Sequence, residues 1–144
     1  MFRKKFYILT VTAVLLFGCV QAPAAATEIT IEETEFSYSP ASITVPAGQP
    51  VTLTINNVGG AEHDFVIEKI EVTDVVEQGN ASAEHSMHDM ESMADEYDLH
   101  VATQQGGTSI LKFTPTEAGT YQVFCTVAGH KEAGMVAELI VVSQ

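Results

Sequence analysis

The stretch Cys125-Thr-Val-Ala-Gly-His130-Lys-Glu-Ala-Gly-Met135 decides how this sequence is interpreted, because it places three metal-binding side chains in one short loop. A thiol, an imidazole and a thioether follow one another at intervals of five residues. Apolar runs at residues 121–124 and 136–142 flank the loop and predict two strands. A soft thiolate, a borderline imidazole and a weak thioether together favour copper over calcium or magnesium.

A second histidine must come from elsewhere in the chain, because a mononuclear copper site of this kind uses two histidines, one cysteine and a distant methionine. His63 is the best candidate, since a glycine turn at residues 59–60 leads there into the apolar run 63–67. Taken singly, each of these side chains is as often structural as metal-binding. A nucleophilic pair of Cys125 and His130 is the main alternative, which the nearby methionine and the lack of an oxyanion signal disfavour.

Residues 119–142 (GTYQVFCTVAGHKEAGMVAELIVV) and 60–67 (GAEHDFVI) resemble the small blue-copper proteins, the cupredoxins, whose members include plastocyanin, azurin and auracyanin. The Cys-x4-His-x4-Met spacing is most similar to that of auracyanin. The similarity extends over residues 28–144, apart from an insert described below. Two positions depart from the family pattern. Asp64 follows the first histidine where asparagine is common, and Ala128 stands where azurin-like loops tend to carry proline.

The resemblance implies both a metal centre and a function. His63, Cys125 and His130 would hold one copper ion in a near-trigonal plane, with Met135 as the weak axial ligand. Relatives of this kind carry single electrons, and their partners dock on an apolar patch around the exposed histidine of the loop. The residues expected to form that patch around His130 are Gly60, Ala61, Ala128, Gly129 and Ala133.

Alternating apolar residues predict the fold from residue 28 onward. The alternating sets are Ile29/Ile31, Ile43/Val45, Val51/Leu53/Ile55, Leu111/Phe113, Tyr121/Val123/Cys125 and Ala137/Leu139/Val141. Segments rich in Gly, Pro and Asn separate these sets, and no amphipathic helix interrupts them. The pattern predicts an all-β, Greek-key β-sandwich or barrel, as the cupredoxin resemblance also implies. Gly119-Thr-Tyr121 further suggests a tyrosine corner.

The N-terminus predicts export. Residues 1–18 combine a basic start, Arg3-Lys4-Lys5, with an apolar run too short to span a bilayer comfortably. Leu16-Phe-Gly-Cys19 resembles a lipobox, so we expect a lipid on Cys19 and an Ala/Pro tether over residues 19–27. Ordinary signal cleavage at Ala24-Ala-Ala26 is the alternative. Either route places the protein in the periplasm or, if lipid-anchored, at the outer face of the cytoplasmic membrane.

Charge limits the choice of partner. The chain carries −13, and three of its six basic residues lie in the export signal, so the exported part is more acidic still. Such a surface disfavours nucleic acid and anionic lipid. It favours a redox protein that is cationic at its docking surface; acidity that serves solubility alone is the alternative interpretation. We expect a monomer.

An insert at about residues 77–98 interrupts the strand pattern. Residues 84–98 contain three methionines, two histidines and six carboxylates but no basic residue. An auxiliary copper site is one interpretation, because thioethers select Cu(I) and imidazoles suit Cu(II). Its candidate ligands are His85, Met87, His88, Met90 and Met93. An acidic surface loop without metal is the other interpretation, and the one we favour.

Two further classes of function are alternatives to electron transfer. A copper-delivery protein outside the cytoplasm could use the Met/His-rich insert as its exchange site. A copper enzyme would need additional metal centres. Once His63 and His130 are used, only His85, His88 and His100 remain, too few for a trinuclear cluster. We therefore expect a protein that is not an enzyme.

Overall fold

Two five-stranded sheets make up the part of the chain that the computed structural model describes, residues 26–80 and 96–144. The strands are β1 (Thr27–Thr34), β2 (Ser37–Ser39), β3 (Ser42–Pro46), β4 (Val51–Asn57), β5 (His63–Ile67), β6 (Val72–Gln78), β7 (Leu99–Thr103), β8 (Thr108–Pro115), β9 (Gly119–Phe124) and β10 (Val136–Val142). The first sheet has the order β2-β1-β4-β8-β6 and the second β3-β10-β9-β5-β7. The described residues contain no helix long and apolar enough to cross a membrane.

Connections between the sheets give the architecture its Greek-key character. Strands β1 and β4 pair in parallel, as do β3 and β10, whereas the remaining neighbours are antiparallel. Parallel neighbours cannot be joined by a tight hairpin, so the chain crosses repeatedly from one sheet to the other. The predicted all-β sandwich is confirmed.

Alternation along the strands builds the core between the sheets. In β4 every second residue is buried, and β8 and β10 show the same period. The largest fully buried apolar side chains are Ile31, Leu53, Ile55, Phe65, Ile67, Leu99, Leu111, Phe113, Met135 and Leu139. β5 and β7 are buried along their whole length and therefore show no alternation in sequence. β5 is the strand that begins with the first candidate ligand.

The tyrosine corner predicted at Gly119-Thr-Tyr121 is present. The hydroxyl of Tyr121 donates to the carbonyl oxygen of Glu117 at 3.1 Å. A Cβ at Gly119 would lie 3.1 Å from the Tyr121 ring, so the glycine allows the ring to lie close to the backbone. This contact fixes the start of β9, the strand that leads into the cysteine.

The predicted insert begins later than expected. Strand β6 continues to Gln78, because Glu77 and Gln78 still pair with Leu111 and Ile110 of β8. The rest of the insert falls mainly outside the described residues, as does the export signal. Specifically, the proposed auxiliary ligands at residues 85–93 and the lipid on Cys19 lie outside the described part of the chain.

Glu33 is an unexpected polar residue in the interior of the sandwich. It lies on β1 opposite Asn57 of β4 and is fully buried. Neither carboxyl oxygen has a hydrogen-bond partner among the described residues. Burial, together with the charge of Asp64, raises the pKa of Glu33 to about 8. The folded protein therefore holds this side chain as a neutral acid at neutral pH.

We expect Glu33→Gln to become progressively more stable than the wild type as the pH rises. A carboxyl whose pKa rises from 4.5 to about 8 on folding favours the folded state below its ordinary pKa. That contribution is lost as the pH increases towards 8. The difference in free energy of unfolding should grow between pH 5 and 8 by on the order of a few kcal/mol. Denaturant titrations at several pH values measure it. Glu32→Gln, at an exposed neighbour, controls for net charge, and a difference independent of pH would contradict the prediction.

Candidate metal centre

Three of the predicted ligands converge at one end of the sandwich. His63 begins β5, Cys125 directly follows β9, and His130 lies in the loop between β9 and β10. Their potential ligand atoms all lie within 4.8 Å of one another. Nδ1 of His63 is 3.2 Å from Nδ1 of His130, which in turn is 3.6 Å from Sγ of Cys125. Within residues 26–80 and 96–144, no other cluster of three or more His, Cys, Asp or Glu side chains meets this condition.

Met135, the fourth predicted ligand, closes the loop and is fully buried. Its N–H donates to the carbonyl oxygen of His130 at 2.9 Å, and its own carbonyl accepts from the N–H of Cys125 at 3.4 Å. The two ends of the loop are thereby bonded to each other. Met135 also belongs to the same apolar cluster as Cys125. Its assignment as an axial ligand stays a prediction.

Backbone hydrogen bonds shape the loop between the cysteine and the methionine. The N–H of His130 donates to the carbonyl oxygen of Val127 at 3.0 Å, which makes a tight turn before the histidine. Gly129 and Gly134 have φ values of 82° and 106°, a region that favours glycine. The two glycines of the motif thus allow the chain to reverse twice within this loop.

Asn57 holds the loop that precedes His63, a role that the sequence did not reveal. Its Nδ2 donates to the carbonyl oxygens of Ala61 at 2.7 Å and Thr103 at 2.8 Å. Its Oδ1 accepts from the N–H of Gly59 at 2.9 Å. An asparagine at the end of a strand, just before a glycine pair, is the signal that could have pointed to it.

Gly59 lies directly behind the imidazole of His63. A Cβ at position 59 would be 2.8 Å from Nε2 of His63, closer than such atoms approach. A Cβ at Gly60 would instead meet only the exposed, flexible side chain of Glu35. The absence of a side chain at position 59 therefore leaves room for the ring in this orientation, in which Nδ1 points towards His130.

Asp64 joins β5 to the cysteine loop. Its Oδ1 accepts from the N–H of Thr126 at 2.7 Å, and its Oδ2 accepts from the hydroxyl of Thr126. Oδ2 also lies 3.3 Å from Nε2 of His100 on β7. Burial alone would raise the pKa of the Asp64 carboxyl, but the hydrogen bonds from His100 and Thr126 outweigh it and hold the pKa below its ordinary value. His100 is thus a partner of Asp64 and not a member of the metal-ligand cluster.

Burial has opposite consequences for metal binding at Cys125 and at His63. Burial, with a further contribution from Asp64, raises the pKa of the Cys125 thiol to about 12, although the N–H groups of Asp64 and Val127 act in the opposite direction. Burial and the neighbouring His130 lower the pKa of His63. The imidazole of His63 is therefore neutral and ready to bind metal, whereas Cys125 must release a proton to become a ligand. One thiol and two imidazoles, mostly shielded from water, form a donor set that fits copper.

Comparison with known proteins agrees with this chemistry. Residues 25–142 match the family model described as copper binding proteins, plastocyanin/azurin family. A copper-resistant cuproprotein, CopI, from Rubrivivax gelatinosus is 35% identical over 104 residues, which is 72% of this chain and 59% of that protein. The chain therefore spans less than two thirds of the length of this relative.

Two solved structures share the fold. Dithionite-reduced auracyanin from Roseiflexus castenholzii has a TM-score of 0.57 and 24% identity, covering 83% of this chain and 99% of that one. Auracyanin A from Chloroflexus aurantiacus, described as a blue copper protein, has a TM-score of 0.58 and 22% identity, covering 82% of this chain and 100% of that one. These similarities confirm the predicted likeness to the auracyanin fold.

We expect Gly59→Ala to weaken copper binding, because the added methyl group would displace the ring of His63. Changes next to ligating histidines typically reduce metal affinity by about 10-fold to 100-fold. Competition with a chelator of known affinity measures the effect. Gly60→Ala is the matched control, since its methyl group would meet only the Glu35 side chain, and we expect less than about a threefold change there. Equal losses in the two variants would contradict this account of Gly59.

Proposed function

The chain belongs to the plastocyanin/azurin family of copper-binding proteins, and we propose that it carries single electrons between redox partners outside the cytoplasm. The observation that supports this most is the convergence of His63, Cys125 and His130, whose ligand atoms lie within 4.8 Å of one another. We further propose that Met135 is the axial ligand. The export signal predicted for residues 1–18 is the reason to place the protein in the periplasm or, with a lipid on Cys19, at the outer face of the cytoplasmic membrane.

Each ligand has a distinct place in this proposal. When bound, copper would supply a one-electron couple between Cu(II) and Cu(I). His63 and Cys125 are buried and hold the inner side of the site. His130 is half-buried and offers the route by which an electron reaches the surface. No side chain is required to bind a substrate or to transfer a proton to one.

Rigid attachment of the ligands supports electron transfer in particular. His63 lies on a buried strand, and the hydrogen bond between Asn57 and Gly59 holds the loop that leads to this strand. The bonds between Met135, Cys125 and His130 close the second ligand loop. A site held in this way keeps a similar geometry in both oxidation states, so little rearrangement accompanies each electron.

The surface around His130 fits a protein partner. All five residues of the predicted apolar patch are exposed. The structure adds Phe36, whose ring meets His130 edge-on with centroids 5.3 Å apart and remains 46% exposed. Val58 is 59% exposed on the neighbouring loop. We propose that a redox protein with an apolar contact area and a cationic rim docks here, since the surrounding chain is strongly acidic.

The visible spectrum and reversible reduction of the copper-loaded protein test the proposal. We expect an intense Cu(II)–thiolate band that bleaches and returns over repeated redox cycles without loss of copper. Cys125→Ser should lose the band because it lacks the thiolate, yet keep its β-sheet circular dichroism because the core is otherwise unchanged. Thr126→Ser is a matched control that retains the thiolate. An intense band in Cys125→Ser, or none in the wild type, would contradict the proposed site.

Copper handling is a second candidate, favoured by one observation. The relative from Rubrivivax gelatinosus is named a copper-resistant cuproprotein. We propose that a related role here would use the methionines and histidines of residues 85–93 to exchange Cu(I).

Replacement of Met87, Met90 and Met93 together by leucine tests this second role, because it removes the thioethers and retains apolar bulk. If the insert binds Cu(I), the variant should hold fewer copper ions per chain under reducing conditions with copper in excess. The Cu(II)–thiolate band should be unchanged in either case, which makes it the internal control. Equal copper content in variant and wild type would count against exchange through the insert.

A further inference from the structure

The carboxylate of Asp64 is the charged side chain buried beside the ligand cluster, and its surroundings are built to hold it. The side chain is almost inaccessible to solvent, as is that of its partner His100. Two donors of Thr126 and Nε2 of His100 surround its oxygens. These contacts join β5, β7 and the residue directly after Cys125.

Hydrogen bonds to a buried carboxylate favour its ionised form, and Asp64 accepts two from Thr126 while its Oδ2 lies 3.3 Å from Nε2 of His100. The charge lies next to the ligand loop, because Asp64 directly follows His63 and its Oδ1 accepts from the N–H of Thr126, the residue after Cys125, at 2.7 Å. Once Cys125 is a thiolate, two negative groups therefore face each other in the interior. A doubly charged metal ion relieves that repulsion better than a singly charged one.

We propose that Asp64, positioned by His100 and Thr126, sets the oxidation-state preference of the site by favouring Cu(II) over Cu(I). This inference rests on the copper site proposed above and on no docking partner. A fixed unit charge in a poorly screened interior interacts more strongly with the ion of higher charge. An asparagine at this position would keep an acceptor for Thr126 and remove the charge.

A purely structural role for Asp64 makes a different prediction. If the carboxylate only ties β5 to the cysteine loop, its loss should weaken the binding of both oxidation states to a similar extent. If its charge acts on the metal, the ratio of the two affinities must change. The ratio of Cu(I) affinity to Cu(II) affinity is therefore the quantity to measure, and it sets the reduction potential.

Asp64→Asn tests the role of the charge with little change of shape. We expect the Cu(I)-to-Cu(II) affinity ratio at pH 7.5 to rise at least about tenfold, which corresponds to about 59 mV in potential. Chelator competition under reducing and oxidising conditions gives both affinities, and voltammetry checks their ratio. Glu132→Gln is the control, because it removes an exposed carboxylate from the same loop. Water screens that charge, so the ratio of Cu(I) affinity to Cu(II) affinity in this control should change less than about twofold.

Thr126→Val provides a second test if Asp64→Asn does not fold. It removes one hydroxyl donor from Asp64 and keeps the N–H, so the carboxylate charge is less compensated. We expect a shift of a few-fold towards Cu(II), opposite in sign to that of Asp64→Asn. An unchanged ratio in a folded, copper-loaded Asp64→Asn, or a Thr126→Val shift towards Cu(I), would overturn the inference. Absence of the thiolate band in the wild type would instead overturn the proposed function, and this inference with it.

Discussion

The pairing of β5 with β9, at Val66 and Phe124, is the constraint on which the metal centre depends. The candidate ligands lie in two distant segments of the chain, and the two histidines are 67 positions apart in the sequence. This pairing brings the start of β5 to the end of β9, where Cys125 follows. Because side chains alternate along a strand, a shift of one residue in register would turn His63 away from the cysteine. The apolar core that fixes this register is therefore also what positions the ligands.

Polar residues in the interior are concentrated near the ligand end of the sandwich. The buried polar side chains of the described residues are Glu33, Asn57, His63, Asp64, His100, Thr103 and Ser109, and the other buried side chains are apolar. Burying such groups is unfavourable unless they are hydrogen-bonded, and Asn57 and Asp64 have all-protein partners. Glu33, Nε2 of His63 and Oγ1 of Thr103 are the exceptions among the described residues, and Glu33 remains neutral instead. The interior at the ligand end is therefore more polar than the rest of the core, and its hydrogen bonds hold the loops in place.

Local patterns predicted much of this structure, and long-range contacts were the part they missed. The Cys-x4-His-x4-Met spacing and the alternation in β4, β8 and β10 lie within short windows, so the fold and three convergent ligands could be anticipated. β7 lacks alternation because both of its faces are buried. The bond between Asp64 and Thr126 spans 62 residues, and the contact of Phe36 with His130 depends on a hairpin tip from the other sheet. No window of sequence contains both members of such a pair.

Backbone hydrogen bonds fix both ends of the segment between Asn80 and Asp98. The N–H of Asn80 donates to the carbonyl oxygen of Ala102 at 3.2 Å, and the N–H of Asp98 donates to that of Glu68 at 3.2 Å. With its ends fixed, a longer connection costs only a small, logarithmic increase in closure entropy. Evolution can therefore lengthen, shorten or recompose this stretch without disturbing the scaffold that carries the metal ligands. The sequence between these two fixed ends can therefore change independently of the copper-binding core.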